Sequence, residues 1–329
     1  MKILVCGPKA RYDMYRPASA EDLPVELVFT DPHRSALQTA REHPDVQVIF
    51  ADAITPVGRE VMDALPRLRM IHSEGVAFNA IDIAAAREKG IFVCNNKGCN
   101  AVSVAEHTVM LMLMALRRGI SGHTAVRAGE QIAFKEAFMV SSAPELGEQT
   151  VGLIGLGDIG QAAARLLRPF GCELFYYSAH RRSAQVEDAL GIAYLPLEEL
   201  AARCTLLSLH CAVNDQTLHM VDETFLSHVR PGTILVNTAR GQLLDNSAVR
   251  QALIDGRLGG IAVDTLDPEP TPADHPLVDL PPEAADRAVY SPHLGGITGG
   301  SFRRAHQNMW RSVRLILEGE RPDHIVNGL

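Results

Sequence analysis

The sequence has no C-x-x-C pair and no cysteine–histidine cluster at zinc spacing, although it holds six cysteines, at positions 6, 94, 99, 172, 204 and 211. That excludes a zinc finger or ribbon and a dithiol redox motif. Most of these cysteines fall inside apolar runs, where a thiol behaves as a small buried hydrophobe. Free thiols suit a reducing compartment. Apolar runs of membrane length are also missing. The longest, VMLMLMAL, covers residues 109–116, far short of the ~20 residues of a helical span. The opening MKILVCGP is too brief for the apolar stretch of a secretory leader. There is no excess of positive charge: the formal net charge is −8, which argues against nucleic acid and membrane surfaces as partners. Short-period repeats and low-complexity tracts are absent too. Together these absences predict a soluble cytoplasmic protein with no metal site and no nucleic-acid or membrane partner.

What is present is a chain of 329 residues, 47% hydrophobic and 21% charged. That suffices for two domains with substantial cores and is too apolar for disorder. Strand-length apolar runs alternate with amphipathic segments. The early strands are KILVC (2–6), VELVF (25–29), VQVIFA (46–51), LRMIHS (68–73) and IFVCN (91–95). Segments such as SALQTAREH and AIDIAAAREKG lie between them with helical spacing. This rhythm predicts a parallel sheet covered by helices. At Ser103 it breaks. Ser103 and Glu106 match a capping box opening a long apolar helix through Arg118. After the turn-rich SSAPELGEQ (141–149) the alternation restarts, with TVGLIG, LFYYS, LLSLH, TILVN, GIAVD and AVYSP. These make a second complete doubly wound unit. The proline-dense stretch Pro268–Pro282 reads as an ordered surface loop, and a last helix as Ser301–Glu318. The expected fold is α/β, with two doubly wound parallel-sheet domains. A Rossmann NAD(P)-binding domain, 101–296, is inserted in a flavodoxin-like substrate domain formed by 1–100 and 297–329.

Residues 151–160 read VGLIGLGDIG, and Gly155, Gly157 and Gly160 fill G-x-G-x-x-G between an apolar strand and an amphipathic helix. The three glycines serve different ends, namely the tight turn, close approach of a pyrophosphate, and close helix–strand packing. Asp158 and Ile159 then open the helix, whose free N–H groups face the phosphates. The alternative is a tight turn with no ligand. The next strand ends LFYYSAHRR, where the fingerprint places an acid for the ribose 2′-hydroxyl of NAD. Ser178 stands there instead, so a 2′-phosphate meets no repulsion. Arg181 and Arg182 follow, with charge-assisted hydrogen bonds to offer. The expectation is NADP favoured over NAD; the alternative is a solvated basic loop beside an NAD site.

Polar residues interrupt three later strand ends, which is where ligands sit in an open α/β sheet. ILVNTARG places Asn237, Thr238 and Arg240; AVDTLDPEP places Asp264, with Glu269 shortly after; VYSPHLGG places His293. These types fit hydride transfer to a 2-oxo acid. Arg grips a carboxylate and polarises a carbonyl. His gives a proton to the new alkoxide, and a carboxylate beside it, for which Glu269 is the candidate, orients the ring.

With these motifs in place, the chain resembles the D-isomer-specific 2-hydroxyacid dehydrogenases nearly from end to end. The match includes SEGVAFNAIDIAAAREKGIFVCN, NAVSVAEHTVMLMLMALRR, LEELAARCTLLSLHC and FLSHVRPGTILVNTARG as well as the motifs above. The resemblance implies Arg240, Glu269 and His293 as catalytic residues. It implies Asp264, Gly295, Gly296 and the Asn237–Arg240 stretch beside the nicotinamide, and His210, Cys211 and Ala212 near the adenosine. Gly75, Val76 and Ala77 would offer backbone N–H groups to the substrate carboxylate, alongside Arg240 and His293. The resemblance also implies a homodimer joined through about 101–150, and a small 2-oxo or 2-hydroxy acid as substrate, glyoxylate or hydroxypyruvate first. There are departures. The substrate loop reads GVAFNAID after Glu74, whose side chain is expected to face solvent, and Cys211 and Ala212 stand where a proline is frequent. Rival readings are a phosphite dehydrogenase-like enzyme and a nicotinamide-sensing corepressor or scaffold. A formate dehydrogenase would carry Gln at 269.

Overall fold

The structure, a computed structural model, describes residues 1–30, 35–52, 54–141 and 143–329. The chain divides into two compact units, Met1–Asn100 with Ile297–Leu329, and Ala101–Gly296. Among the described residues no helix is long and apolar enough to cross a membrane.

The first unit holds β1 (Lys2–Cys6), β2 (Glu26–Phe29), β3 (Val48–Ala51), β4 (Met70–Ser73) and β5 (Phe92–Cys94). They form one parallel sheet in the order β2-β1-β3-β4-β5. Every residue of β3 and β4 is buried, as expected of parallel strands covered on both faces. Alternate side chains serve the two faces. Leu4, Ile49, Ile71 and Val93 pack under the helices that connect the strands. Ile3, Val5, Phe50 and Met70 pack against Met309, Trp310, Val313 and Ile316 of the terminal helix Gly299–Glu318. Side-chain oxygens start three of the first unit's helices: Ser35 in a capping box with Gln38, Asp82 before Ile83, and Thr298 before the terminal helix.

The second unit holds β6 (Thr150–Ile154), β7 (Glu173–Tyr177), β8 (Ala193–Tyr194), β9 (Leu206–Leu209), β10 (Thr233–Asn237), β11 (Leu258–Val263) and β12 (Ala288–Tyr290). Their order is β12-β11-β10-β9-β6-β7-β8, parallel throughout. This is the dinucleotide-binding order with one strand added, and its topological switch point lies between β6 and β9. The six expected strands are all there. Edge strand β8 is additional to them; two residues are too few to show alternation. The long helix runs Ala101–Leu116, so Ser103 is a buried interior residue and not a cap. Its small face, Ala101 and Ala105, packs against Ala162 and Ala163 of the helix Asp158–Leu167, and that packing carries the helix start back past the capping signal. Helices Gly119–Arg127 and Gln131–Ser141 follow. The proline-dense loop is ordered by buried His275, whose Nδ1 accepts from Leu277 N at 3.1 Å and whose Nε2 donates to Asp267 O at 2.9 Å.

Candidate active site

The carboxyl ends of β6, β7 and β9–β12 carry the predicted residues of the second unit. After β6, Gly155 adopts φ +104°, and a Cβ there would stand 2.7 Å from the backbone of His210 and Cys211. The positive φ and the close approach both demand glycine. A Cβ at Gly160 would run into the Gly155 carbonyl, whereas one at Gly157 would meet nothing within 4 Å. Two glycines thus serve packing, and the third leaves open space where the helix Asp158–Leu167 begins. Gly157 is its N-cap and Asp158 is exposed in its first turn. Ile159 packs under the Ala101 face. The free N–H groups of a helix start beside open space fit a pyrophosphate.

At the end of β7 the two arginines differ. Arg181 donates Nε and Nη2 to Glu187, both at 2.9 Å, and lies over the Tyr194 ring. Tyr176 Oη also donates to Glu187, at 2.8 Å. The Arg181 and Tyr176 hydrogen bonds hold the Glu187 carboxyl below the usual carboxylate range. Arg182 instead donates Nε to the Leu156 carbonyl, inside the glycine turn, at 3.0 Å. Ser178 is half-buried. Nothing in the LFYYSAHRR stretch signals that one arginine already has a carboxylate, because Glu187 lies on the following helix.

His210, after β9, meets Ser208 Oγ through Nε2 at 3.0 Å. Burial pushes its imidazole down to about 4. The Cys211 thiol is pushed up to about 11 by burial, which makes it unreactive at neutral pH. Ala212 is exposed, and its carbonyl accepts from Thr217 Oγ1 at 2.7 Å.

The end of β10 is shaped by Asn237, whose Oδ1 accepts from Ala239 N at 3.0 Å and whose Nδ2 donates to Arg240 O at 2.8 Å. Thr238 is buried, 2.9 Å from Thr108 Oγ1. Arg240 is exposed and spends only Nη1, on the Ala239 carbonyl at 2.7 Å. Its other guanidinium nitrogens have no partner among the described residues. A Cβ on Gly241 would strike the backbone of Leu266 and Asp267, so glycine lets this loop lie against the one that carries Glu269. Gln242 Nε2 joins the two through Asp267 Oδ1 at 2.8 Å.

Asp264 accepts from Leu294 N and Gly295 N, both at 2.8 Å, and its own carbonyl accepts from His293 N at 2.8 Å. His107 Nε2 stands 3.2 Å from the carboxylate, off good hydrogen-bond geometry. Burial alone would raise this carboxyl; the contacts from His107, Ser291 and the two backbone N–H groups outweigh it and draw it down to about 2. The web fixes residues 293–295, and a Cβ on Gly295 would crowd Asp264 at 2.9 Å. His293 is held at φ +56°, a region costly for a side chain with a Cβ. Its Nδ1 lies 2.8 Å from Glu269 Oε2, and both side chains are nearly half exposed. The structure therefore pairs Glu269 with His293. Gly241, His107 and Thr108 are parts of this site that the sequence motifs do not single out. Their only signal is position, since each acts by close packing or by contact across many residues.

In the first unit, every carbonyl from Ser73 to Ala77 is taken. Asn96 Nδ2 donates to Ser73 O at 3.1 Å and to Glu74 O at 3.0 Å, and Asn96 N to Gly75 O at 3.0 Å. Asn95 Nδ2 donates to Val76 O at 2.7 Å and Ser73 Oγ to Ala77 O at 2.6 Å. Gly75 N donates to Ser73 Oγ at 3.3 Å. Among the described residues the N–H groups of Val76 and Ala77 have no partner. Glu74 does not face solvent as expected. It is buried, because Arg11 and His306 both donate to its carboxylate.

The family model for the D-isomer specific 2-hydroxyacid dehydrogenase, NAD binding domain, matches residues 109–295. A glyoxylate reductase of Korarchaeum cryptofilum is 32% identical over 86% of this chain and 83% of its own. A D-3-phosphoglycerate dehydrogenase of Mycobacterium tuberculosis is 33% identical over 92% of this chain but only 55% of its own. The crystal structure of a glyoxylate reductase from Paecilomyes thermophila superposes with a TM-score of 0.78 at 27% identity, covering 97% of this chain and 96% of that one. With the glycine turn, the strand order and these likenesses in agreement, the chain belongs to the D-isomer specific 2-hydroxyacid dehydrogenases, oxidoreductases that act on a CH–OH group with a nicotinamide dinucleotide.

Proposed function

We propose that this protein interconverts a small 2-oxo acid and its D-2-hydroxy acid, with NADP(H) favoured and glyoxylate or hydroxypyruvate as the first substrates to try. The observation that carries it is the His293–Glu269 pair, 2.8 Å apart at a strand end and held by the Asp264 web. When bound, the nicotinamide supplies or accepts the hydride. The chain does the rest. Glu269 accepts the Nδ1 proton of His293, so Nε2 is the working nitrogen. Protonated, it gives its proton to the substrate oxygen in reduction; neutral, it takes that proton back in oxidation. Arg240, with most of its guanidinium uncommitted, binds the carboxylate and polarises the carbonyl. Asp264, Thr238, Ala239 and Gly295 position the nicotinamide end, and His210–Ala212 the adenosine end. The Val76 and Ala77 N–H groups of the first unit, the proposed substrate domain, serve a carboxylate.

NADP preference is supported by Ser178 in place of an acid and by Arg182 beside the glycine turn; Arg181, already matched by Glu187, shapes that loop. We also propose a cytoplasmic homodimer. The helix Gln131–Ser141 buries none of its own residues despite Ile132, Met139 and Val140, and an exposed apolar surface of this kind asks for a partner. The test is reduced-nicotinamide absorbance with glyoxylate, hydroxypyruvate, pyruvate and phenylpyruvate, each with NADPH and NADH. Faster loss of NADPH supports the dehydrogenase reading and the 2′-phosphate role. Faster loss of NADH keeps the enzyme and removes the 2′-phosphate role. No loss with any acid overturns the substrate class.

A further inference from the structure

We propose that Glu74 is a positioning residue for the reaction: its buried carboxylate, shared by Arg11 and His306, fixes the loop 75–77 in the form that leaves the Val76 and Ala77 N–H groups available to a substrate carboxylate. The proposal rests on the reading that this loop takes that carboxylate. All the residues involved belong to the first unit.

Glu74 directly follows β4. Its side chain is 6% exposed and accepts from Arg11 Nε at 2.9 Å, Arg11 Nη2 at 2.5 Å and His306 Nε2 at 3.0 Å. Arg11 comes from the helix Lys9–Tyr15, and His306, wholly buried, from the terminal helix. The guanidinium is further confined by the Phe302 and Tyr12 rings, 5.6 and 5.8 Å away. Segments far apart in the chain therefore meet on one carboxylate at the root of the loop. Asn95 and Asn96 occupy the loop's carbonyls. The loop is tied by both sets of contacts, and what remains unmatched among the described residues are two donors.

Stability alone is a poor account of this cluster. Taking a carboxylate and a guanidinium out of water costs about as much as their attraction returns, and an apolar trio of the same volume is frequently as stable. A fixed geometry is what such a cluster adds, and a carboxylate-binding loop needs it, because a displacement of about 1 Å at a substrate-positioning group costs up to about a hundredfold in rate. His306 Nε2 must carry the proton to donate to Glu74, so a Gln at 306 can replace the donor and a Leu cannot. Lys at 11 keeps the charge but loses the two-pronged grip.

The variants are Glu74→Gln, Arg11→Lys, His306→Gln and His306→Leu in the 329-residue chain. Four quantities are read: KM and kcat for glyoxylate, NADPH affinity by fluorescence, melting temperature, and amide hydrogen exchange across residues 73–78. We expect Glu74→Gln and His306→Leu to raise KM about tenfold or more, leave NADPH affinity unchanged, and speed exchange in the loop. His306→Gln should stay near the parent, and Arg11→Lys should fall between. A lowered melting temperature with unchanged KM and unchanged loop exchange would make the cluster a packing device and overturn the proposal. If the parent reduces no 2-oxo acid, the proposed function fails by itself, and loop exchange still decides whether Glu74 positions the loop.

Discussion

His293 is the residue at which local strain and the proposed acid–base role coincide. Its left-handed backbone is sustained by three hydrogen bonds to Asp264, made by its own N–H and by the two that follow. A residue so constrained points one way, which general acid–base work requires. His293→Ala should therefore lower turnover by about 10² to 10⁴ and leave NADPH affinity within about twofold; steady-state kinetics and fluorescence titration measure both, and unchanged turnover removes the assigned role. Arg182→Ala should narrow the gap between NADPH and NADH in KM, and Arg181→Ala should narrow it less, since Arg181 spends its fork on Glu187. Equal effects would mean the two arginines act alike. Arg240 and His293 stand out in the sequence as polar residues at apolar strand ends, and the pairing of Glu269 with His293 follows from the same pattern. The ranking of the arginines and the burial of Glu74 are not, because those outcomes depend on partners distant in the chain.

The strand–turn–helix at 150–167 is the element that makes the clearest distinction between packing and binding. Gly160→Ala would force a Cβ onto the Gly155 carbonyl, and an overpacked site of this kind costs about 1–3 kcal/mol. Gly157→Ala meets nothing in the protein. It should melt like the parent yet bind NADPH more weakly, by calorimetry; the same affinity as the parent would place the pyrophosphate elsewhere. Elements of this size are largely legible. Six strands of the second unit and all five of the first follow from apolar runs, as continuous burial in a parallel sheet demands. The start of the long helix departs from the sequence pattern, because tertiary packing of Ala101 and Ala105 outweighs a capping signal at Ser103. The edge strand β8, two residues long, has no pattern to show.

At the scale of the whole molecule, acid sensitivity follows from two buried imidazoles, one in each unit. Burial pushes His72 and His210 down to about 4 from an ordinary 6.5. The unfolded chain therefore binds these protons first. The stability each contributes is complete above pH 6.5 and is lost as pH falls toward 4, up to roughly 3 kcal/mol apiece. Asp264 adds a second loss further down, between 3.8 and about 2. Urea midpoints should thus fall steadily between pH 6.5 and 4. His72→Leu should lose less over that window than the parent; an equal loss would exclude His72 as a cause. The Gln131–Ser141 helix makes a prediction at the same scale: Met139→Glu with Val140→Lys should convert a dimer into a monomer in analytical ultracentrifugation, and a parent that sediments as a monomer would end the dimer reading.

The first unit's sheet closes one of its faces with Met309, Trp310, Val313 and Ile316, and Asn327 fastens the chain to β5. On the ribosome those residues emerge after the whole of the second unit, which is continuous from Ala101 to Gly296. During synthesis the insert can finish folding while its host waits with Ile3, Val5 and Phe50 uncovered, so chaperone protection in the cell is needed most by the unit whose strands were made first.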